Sequence, residues 1–97
     1  MRHAIVLAPQ AIEDLKRLKA NRRAKVKEAL ETHLRHAPAK TSKSRIKRLR
    51  GLSKPQYRLR VDDLRVFYDV AKGRVEVLAI VAKADADAWL LKVSEKS

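Results

Sequence analysis

Three arginines, Arg58, Arg60 and Arg65, occur at spacings that would place them on one face of two adjacent β-strands. A guanidinium group stays charged at physiological pH, and its fork of N–H donors matches the oxygens of a phosphate. Several arginines on one surface therefore predict binding to a polyanion. Because an arginine with a pKa above 12 is a poor proton acceptor, they do not supply acid–base chemistry.

The segment that leads into these arginines is strongly basic. No acidic residue occurs from Lys40 to Arg60, and the chain carries a formal net charge of +13 over 97 residues. That charge exceeds what a small domain needs for solubility, and a contiguous basic stripe is typical of a nucleic-acid-binding protein. A solvated loop is the alternative interpretation. The predicted nucleic-acid-binding residues are Arg45, Lys47, Arg48, Arg50 and Lys54.

Hydrophobic periodicity predicts the strands that would position the arginines. Apolar residues alternate with polar ones over residues 57–61 and again over residues 64–70, as expected for two half-buried strands. Asp62 and Asp63 lie between them as a tight hairpin connection. Six side chains are expected to face the core: Tyr57, Leu59, Val61, Leu64, Val66 and Tyr68. Arg58, Arg60 and Arg65 would then converge on one concave patch of the opposite face.

The first half of the chain predicts a strand followed by two helices. His3–Leu7 reads as a short strand, and Pro9 suits the first position of a helix because no N–H is needed there. Apolar residues then recur at helical spacing up to Pro38, with a break near Ala20 and Asn21. This pattern predicts two antiparallel helices, a helical hairpin.

The second half completes the predicted fold. The segment Arg74–Val81 is apolar on both faces, as in an inner strand, and Asp85 is placed to cap a short helix that contains Trp89. Trp89 is expected to cover the core; stacking on a base is the alternative. The predicted fold class is α+β, a single domain over residues 1–97: an N-terminal strand, an α-helical hairpin on one face of a small antiparallel β-sheet, and a short C-terminal helix.

Composition excludes several other kinds of chemistry. The chain has no cysteine, so disulfides, thiolate metal sites and cysteine nucleophiles are ruled out. No apolar run approaches the ~20 residues of a membrane-spanning helix, and the N-terminus does not resemble a signal peptide. His33, His36 and Glu31 have a spacing compatible with a metal, but a solvated helix is the preferred interpretation. We therefore expect a cytoplasmic protein that has no metal or cofactor and does not contact a membrane.

Three short motifs resemble those of a known family. Leu49-Arg50-Gly51 matches a turn, Tyr57-Arg58-Leu59-Arg60-Val61 matches a strand that ends in basic residues, and Leu64-Arg65-Val66-Phe67-Tyr68 matches a strand of the form Arg-Val-x-Tyr. In these motifs, in length and in the order of its elements, the chain resembles the RelE/ParE superfamily of bacterial toxins. The likeness extends over nearly the whole chain.

The resemblance implies a toxin of a type II toxin–antitoxin pair. RelE-like members cleave messenger RNA in the ribosomal A site, whereas ParE-like members inhibit DNA gyrase. Both are held inactive by a small acidic antitoxin, which also binds operator DNA. The expected partners are a cognate antitoxin and messenger RNA on the ribosome, with DNA gyrase as the alternative and operator DNA reached only through the antitoxin.

The RelE-like branch is favoured, and its catalytic roles would fall on Arg58, Arg60, Arg65 and Lys83. Arg65 is the leading candidate, with a structural pairing to Asp69 or Asp63 as its alternative. We expect its side chain to face out of the core.

The C-terminal segment departs from the RelE-like pattern, because no His follows His36 and no Tyr follows Tyr68. Lys83 is a candidate proton donor. Asp85 is a candidate acceptor, although helix capping is its preferred role. A non-catalytic nucleic-acid-binding module, or a toxin relic that acts with its antitoxin, is the third hypothesis.

Overall fold

A five-stranded sheet with helices on both faces organises the chain; the computed structural model describes residues 2–96, and side chains up to residue 94. The sheet order is β1-β5-β4-β3-β2, and the predicted α+β fold class is confirmed. The elements, in chain order, are β1 (Ala4–Leu7), α1 (Pro9–Arg17), α2 (Ala20–Ala29) with a π-helical turn (Leu30–Leu34), β2 (Ile46–Arg48), β3 (Tyr57–Val61), β4 (Leu64–Ala71), β5 (Arg74–Ala82) and α3 (Lys83–Lys96).

The sheet is mixed and not wholly antiparallel as predicted, because β1 runs parallel to β5. The α1–α2 hairpin and three further strands separate β1 from β5 in the chain, which allows the crossover that a parallel pair requires. β2 pairs antiparallel with β3 along the opposite edge of the sheet. This strand was not predicted, since three residues are too few to show a period of two.

The predicted β3–β4 hairpin is present, and its turn is attached to α2. Asp62 occupies the left-handed region with φ 53°, which an aspartate tolerates better than most residues. Its carboxylate accepts a hydrogen bond from Lys25 Nζ at 2.6 Å, and Asp63 forms an ion pair with Arg22. The turn residues therefore contact the helical hairpin as well as joining two strands.

The helical hairpin packs on one face of the sheet and forms the main core with it. All six side chains predicted to face the core are buried: Tyr57, Leu59, Val61, Leu64, Val66 and Tyr68. The break between the helices lies at Leu18 and Lys19, slightly before the predicted position, and Arg23 donates to the Leu18 carbonyl there at 2.8 Å. Tyr68 is packed as expected, and its hydroxyl also donates to the Pro38 carbonyl at 2.7 Å.

β5 occupies the predicted inner position, between β1 and β4. Its register with β4 shifts so that Tyr68 pairs with Val77 while Phe67 pairs with Ala79, and the simple alternation of apolar residues is broken. β1 pairs only with the first part of β5. β5 continues beyond the end of β1, and there the Ile80 N–H donates to the Asp14 carboxylate of α1 at 2.9 Å. A side chain of α1 thus satisfies a backbone donor of β5 that β1 does not reach.

The C-terminal helix covers the other face of the sheet. Trp89 stacks on Phe67 with ring centroids 4.8 Å apart and an interplanar angle of 13°, which confirms its packing role. The helix spans 14 residues and begins at Lys83, directly after β5. Asp85 therefore lies within the first turn and is not the cap that the sequence predicted. Within residues 2–96, no helix is long and apolar enough to cross a membrane.

Candidate nucleic-acid interface

A groove with a volume of about 320 Å³ lies between the sheet and α3. β2, β3, β4 and α3 all contribute to it. The cross-strand neighbours Lys47 and Arg58, and Arg58 and Phe67, place side chains of three strands on the same face. The groove is lined by Lys47, Leu49, Arg58, Arg65, Phe67, Lys83, Ala86, Asp87 and Leu90. We call this set of residues the basic groove.

The three arginines share one face of the hairpin, as their spacing predicts. Arg60 is the cross-strand partner of Arg65, and Arg58 lies opposite Phe67 on the same face. The pKa of the Arg58 guanidinium is lowered, first by burial and then by the charges of Arg65 and Arg60. Over residues 2–94, none of the three arginines forms an ion pair with a carboxylate. Their repulsion is therefore uncompensated, and a bound anion would relieve it.

The Arg58 guanidinium makes fewer hydrogen bonds than its N–H donors allow. Its Nη2 donates to the Ser44 carbonyl at 3.3 Å, while its buried Nε has no hydrogen-bond partner. An unpaired buried donor on a charged group carries a free-energy cost of a few kcal/mol. The Arg58 guanidinium is thus incompletely satisfied by the protein, and an anion bound in the groove would compensate its charge.

Arg65 lines the same groove but is not the freely projecting side chain that we expected from the sequence. It is only 8% exposed, because α3 covers its part of β4. Its Nη1 donates to the carbonyl oxygens of Asp62 at 3.0 Å and Leu64 at 2.9 Å. The alternative interpretation, a pairing with Asp63 or Asp69, does not hold, because those carboxylates pair with Arg22 and Lys54. Arg65 therefore stabilises the hairpin turn and also contributes positive charge to the groove.

Lys83 and Arg60 differ in their relation to the groove. Lys83 is the first residue of α3, and its exposed side chain lines the groove together with Arg58 and Arg65. Arg60 is exposed near the hairpin end of β3 and lines a separate small cavity with Ser44, Arg45 and Asp62. The four candidate catalytic residues are consequently divided, three in the groove and one beside it.

The predicted basic stripe is also divided, because neighbouring strand residues face opposite sides of a sheet. Lys47 faces the groove, whereas Arg48 shares the opposite face with Tyr57 and lies 5.0 Å from its ring centroid. Lys54 is near two carboxylates, with its Nζ 3.7 Å from Asp69 and 3.4 Å from Glu76. The five basic residues therefore do not share one face of the sheet, and their role in nucleic-acid binding stays a prediction.

The other two residues of the predicted stripe lie in loops. Arg50 is exposed just after β2. Arg45 places its Nη1 3.0 Å from His33 Nε2. Burial and the Arg45 charge lower the pKa of His33, so the neutral ring accepts a hydrogen bond from the guanidinium. Glu31 pairs with Arg35 and not with a histidine. Residues 2–94 contain no group of three potential metal ligands.

Sequence reasoning missed Asp87. This residue lines the groove one helical turn after Lys83, while Asp85, the acidic residue considered earlier, does not line it. The signal was present in the spacing: Lys83, Asp87 and Leu90 follow each other at i, i+4 and i+7. This spacing is informative only if the helix begins at Lys83, because a helix capped by Asp85 would not include Lys83.

Comparison with known proteins agrees with this architecture. Residues 5–86 match the family model described as the ParE toxin of the type II toxin–antitoxin system parDE. No curated protein sequence matches the chain.

Three solved structures show the same fold. The archaeal RelE–RelB complex from Pyrococcus horikoshii OT3 aligns with a TM-score of 0.70 and 22% identity, over 86% of this chain and 97% of the other. The RelBE2 toxin–antitoxin complex from Mycobacterium tuberculosis gives 0.71 and 20%, over 84% and 99%. A mutant E. coli RelE in the free state gives 0.71 and 20%, over 92% of both chains.

The family match covers most of the chain, including most of β1, the helical hairpin and every strand that lines the groove. The solved structures independently share its helix and strand arrangement. The chain therefore belongs to the ParE toxin family of type II toxin–antitoxin systems, within the RelE/ParE superfamily.

Proposed function

We propose that this toxin inhibits translation by cleaving messenger RNA on the ribosome without a metal. The observation that carries the proposal is Arg58, a partly buried guanidinium with an unpaired donor, crowded by Arg60 and Arg65. A cationic site of this kind suits a phosphate that gains charge during the reaction. The RelE-type structures that share the fold support the same branch.

Each basic residue of the groove would have its own role in RNA cleavage. Arg58 and Arg65 stabilise the pentavalent phosphate formed when the 2′-hydroxyl attacks. Lys47 binds a neighbouring phosphate from the same face of the sheet. Lys83 faces them from α3 and protonates the leaving 5′-oxygen. Arg60 and Arg45 extend the positive surface beyond the groove, where the RNA backbone or ribosomal RNA continues.

The same proposal includes an acidic antitoxin as the cognate partner. The similar structures include RelE with RelB and, from Staphylococcus aureus, YoeB with YefM. A toxin with a net charge of +13 is complementary to an acidic protein that covers its basic surface. Operator DNA would be reached only through this antitoxin. Action on ribosomes places the toxin in the cytoplasm.

DNA gyrase is the second candidate target. The family model that matches the chain describes ParE toxins. In addition, the described residues that line the groove include neither a His nor a Tyr, which are the side chains that most simply supply proton transfers. A toxin that acts by binding alone would not need them.

Two parallel assays separate these candidates. The purified toxin is incubated with programmed ribosomes and labelled messenger RNA, and separately with gyrase and supercoiled DNA. We expect codon-phased cleavage of the RNA, with no divalent metal added beyond that of the ribosome buffer. We expect gyrase to supercoil DNA at an unchanged rate. Intact RNA with inhibited gyrase would favour the second candidate. Binding to RNA without either effect would identify a non-catalytic module.

A further inference from the structure

We propose that the Asp87 carboxylate is the proton acceptor for RNA cleavage in the basic groove, an inference that rests on the ribonuclease function proposed above. Cleavage needs a group that removes the proton of the attacking 2′-hydroxyl. Guanidinium and ammonium groups are protonated at neutral pH and cannot accept it. Asp87 is the carboxylate that lines the groove.

Helical geometry places Asp87 toward the groove. Residues of an α-helix are rotated by about 100° each, so Lys83, Asp87 and Leu90 lie within one narrow face of α3. All three line the groove. Asp85, two residues before Asp87, is rotated by roughly 200° and points away. The two aspartates are thus chemically identical but differently directed.

The carboxylate of Asp87 is also free to react. It is exposed, and within the described residues it makes no hydrogen bond or ion pair. By contrast, Asp62, Asp63 and Asp69 all contact basic groups on the protein. An unpaired carboxylate facing Arg58 and Arg65 across the groove is positioned to meet a nucleotide whose phosphate lies on those arginines.

The proposed step balances without a further reactant. The 2′-hydroxyl proton passes to the Asp87 carboxylate, and the 2′-oxygen forms a bond to phosphorus. The bond from phosphorus to the 5′-oxygen breaks, and the 5′-oxygen takes a proton from the Lys83 ammonium. The products are a 2′,3′-cyclic phosphate and a 5′-hydroxyl end. Proton exchange with water then restores Asp87 and Lys83.

The test compares Asp87→Asn with the matched control Asp85→Asn. Single-turnover cleavage of messenger RNA on ribosomes is measured for each variant, with ribosome affinity measured in parallel. We expect Asp87→Asn to lose about 100-fold or more in rate and to keep its affinity. Asp85→Asn should keep both its rate and its affinity. Asp87→Glu should recover part of the activity, because the acceptor is retained.

Each outcome has a distinct meaning. A wild-type chain that cleaves RNA, together with an Asp87→Asn variant that cleaves at the same rate, would overturn the role of Asp87 and leave the ribonuclease function standing. The same conclusion follows if Asp87→Asn loses affinity and rate equally and Asp87→Glu restores neither. If the wild-type chain itself cleaves no RNA, the proposed function fails, and the role of Asp87 fails with it.

Discussion

Arg60 and Arg65 lie directly opposite each other in the β3–β4 ladder, yet Arg65 is buried and Arg60 is exposed. Register places both on one face of the sheet. The difference arises from what lies above them, because α3 covers β4 but leaves the end of β3 open. The Arg65 side chain therefore makes hydrogen bonds to the backbone that the Arg60 side chain does not. Replacing each arginine should change the free energy of unfolding by a different amount.

Replacing Arg65 with Ala should destabilise the protein, although the sequence predicted that its side chain would face out of the core. The substitution removes the donor to the Asp62 and Leu64 carbonyl oxygens. The loss should be about 1–3 kcal/mol in the free energy of unfolding, measured by urea denaturation. Arg60→Ala is the control and should change stability by less than about 0.5 kcal/mol. Equal stabilities for the two variants would contradict this account of Arg65.

The neighbouring residues Lys47 and Arg48 should differ in their effect on RNA binding. Lys47 faces the basic groove, whereas Arg48 lies over the Tyr57 ring on the other face. Lys47→Gln should therefore reduce the salt dependence of RNA or ribosome binding by about one unit of slope. Arg48→Gln should leave the slope unchanged. Reductions of the same size in both variants would show that the two faces do not act separately.

The Tyr68 hydroxyl should contribute measurably to stability. It is buried and donates to the Pro38 carbonyl, which links the loop after the helical hairpin to the central strand. Tyr68→Phe should cost roughly 1–3 kcal/mol, because it leaves that carbonyl without its partner. Tyr57→Phe is a matched control, because it also removes one hydroxyl group. Either variant keeps both stacked rings of Tyr57 and Tyr68, whose centroids are 5.4 Å apart. Thermal or urea unfolding of the two variants checks the prediction, and an unaffected Tyr68→Phe variant would argue against the hydrogen bond.

Asp69 should make stability fall as pH rises. Burial, the largest effect, raises its pKa despite the hydrogen bond from the Gln56 N–H and the nearby Lys54 charge. A carboxyl whose folded-state pKa is raised binds protons more tightly in the folded state, so its contribution is present at low pH and is lost as pH rises through that pKa. Asp69→Asn removes this titration.

Relative to wild type, the stability of Asp69→Asn should therefore increase as the pH rises above about 4, the ordinary pKa of a carboxyl group. Urea unfolding of both proteins at several pH values measures the difference. A difference that stays constant, or that moves the other way, would show that Asp69 is not destabilised by burial in its charged form.

Local patterns were sufficient to predict much of the fold. Alternation over β3 and β4 correctly assigned their core faces and placed Arg58, Arg60 and Arg65 on one face, because a period of two is strong over five to eight residues. It did not show that Arg60 lies outside the groove. The same rule could not separate Lys47 from Arg48, since β2 is only three residues long. The faces of those two side chains depend on pairing with β3, which is a long-range contact.

The parts that were mispredicted depend on tertiary packing. The burial of Arg65 and the position of Asp87 both follow from the docking of α3 through the Phe67–Trp89 stack. No local period encodes which face of a sheet a terminal helix will cover. The parallel pairing of β1 with β5 likewise joins segments that are about 70 residues apart in the chain.

The most direct test of the central claim is to map messenger RNA ends in bacteria that express wild-type toxin, Arg58→Gln or Arg48→Gln. The account predicts new ends within translated codons for wild type and for Arg48→Gln, and their loss for Arg58→Gln, because Arg58 lines the groove whereas Arg48 lies over Tyr57 on the opposite face. Intact messages with wild-type toxin, accompanied by gyrase-linked DNA breaks, would contradict it.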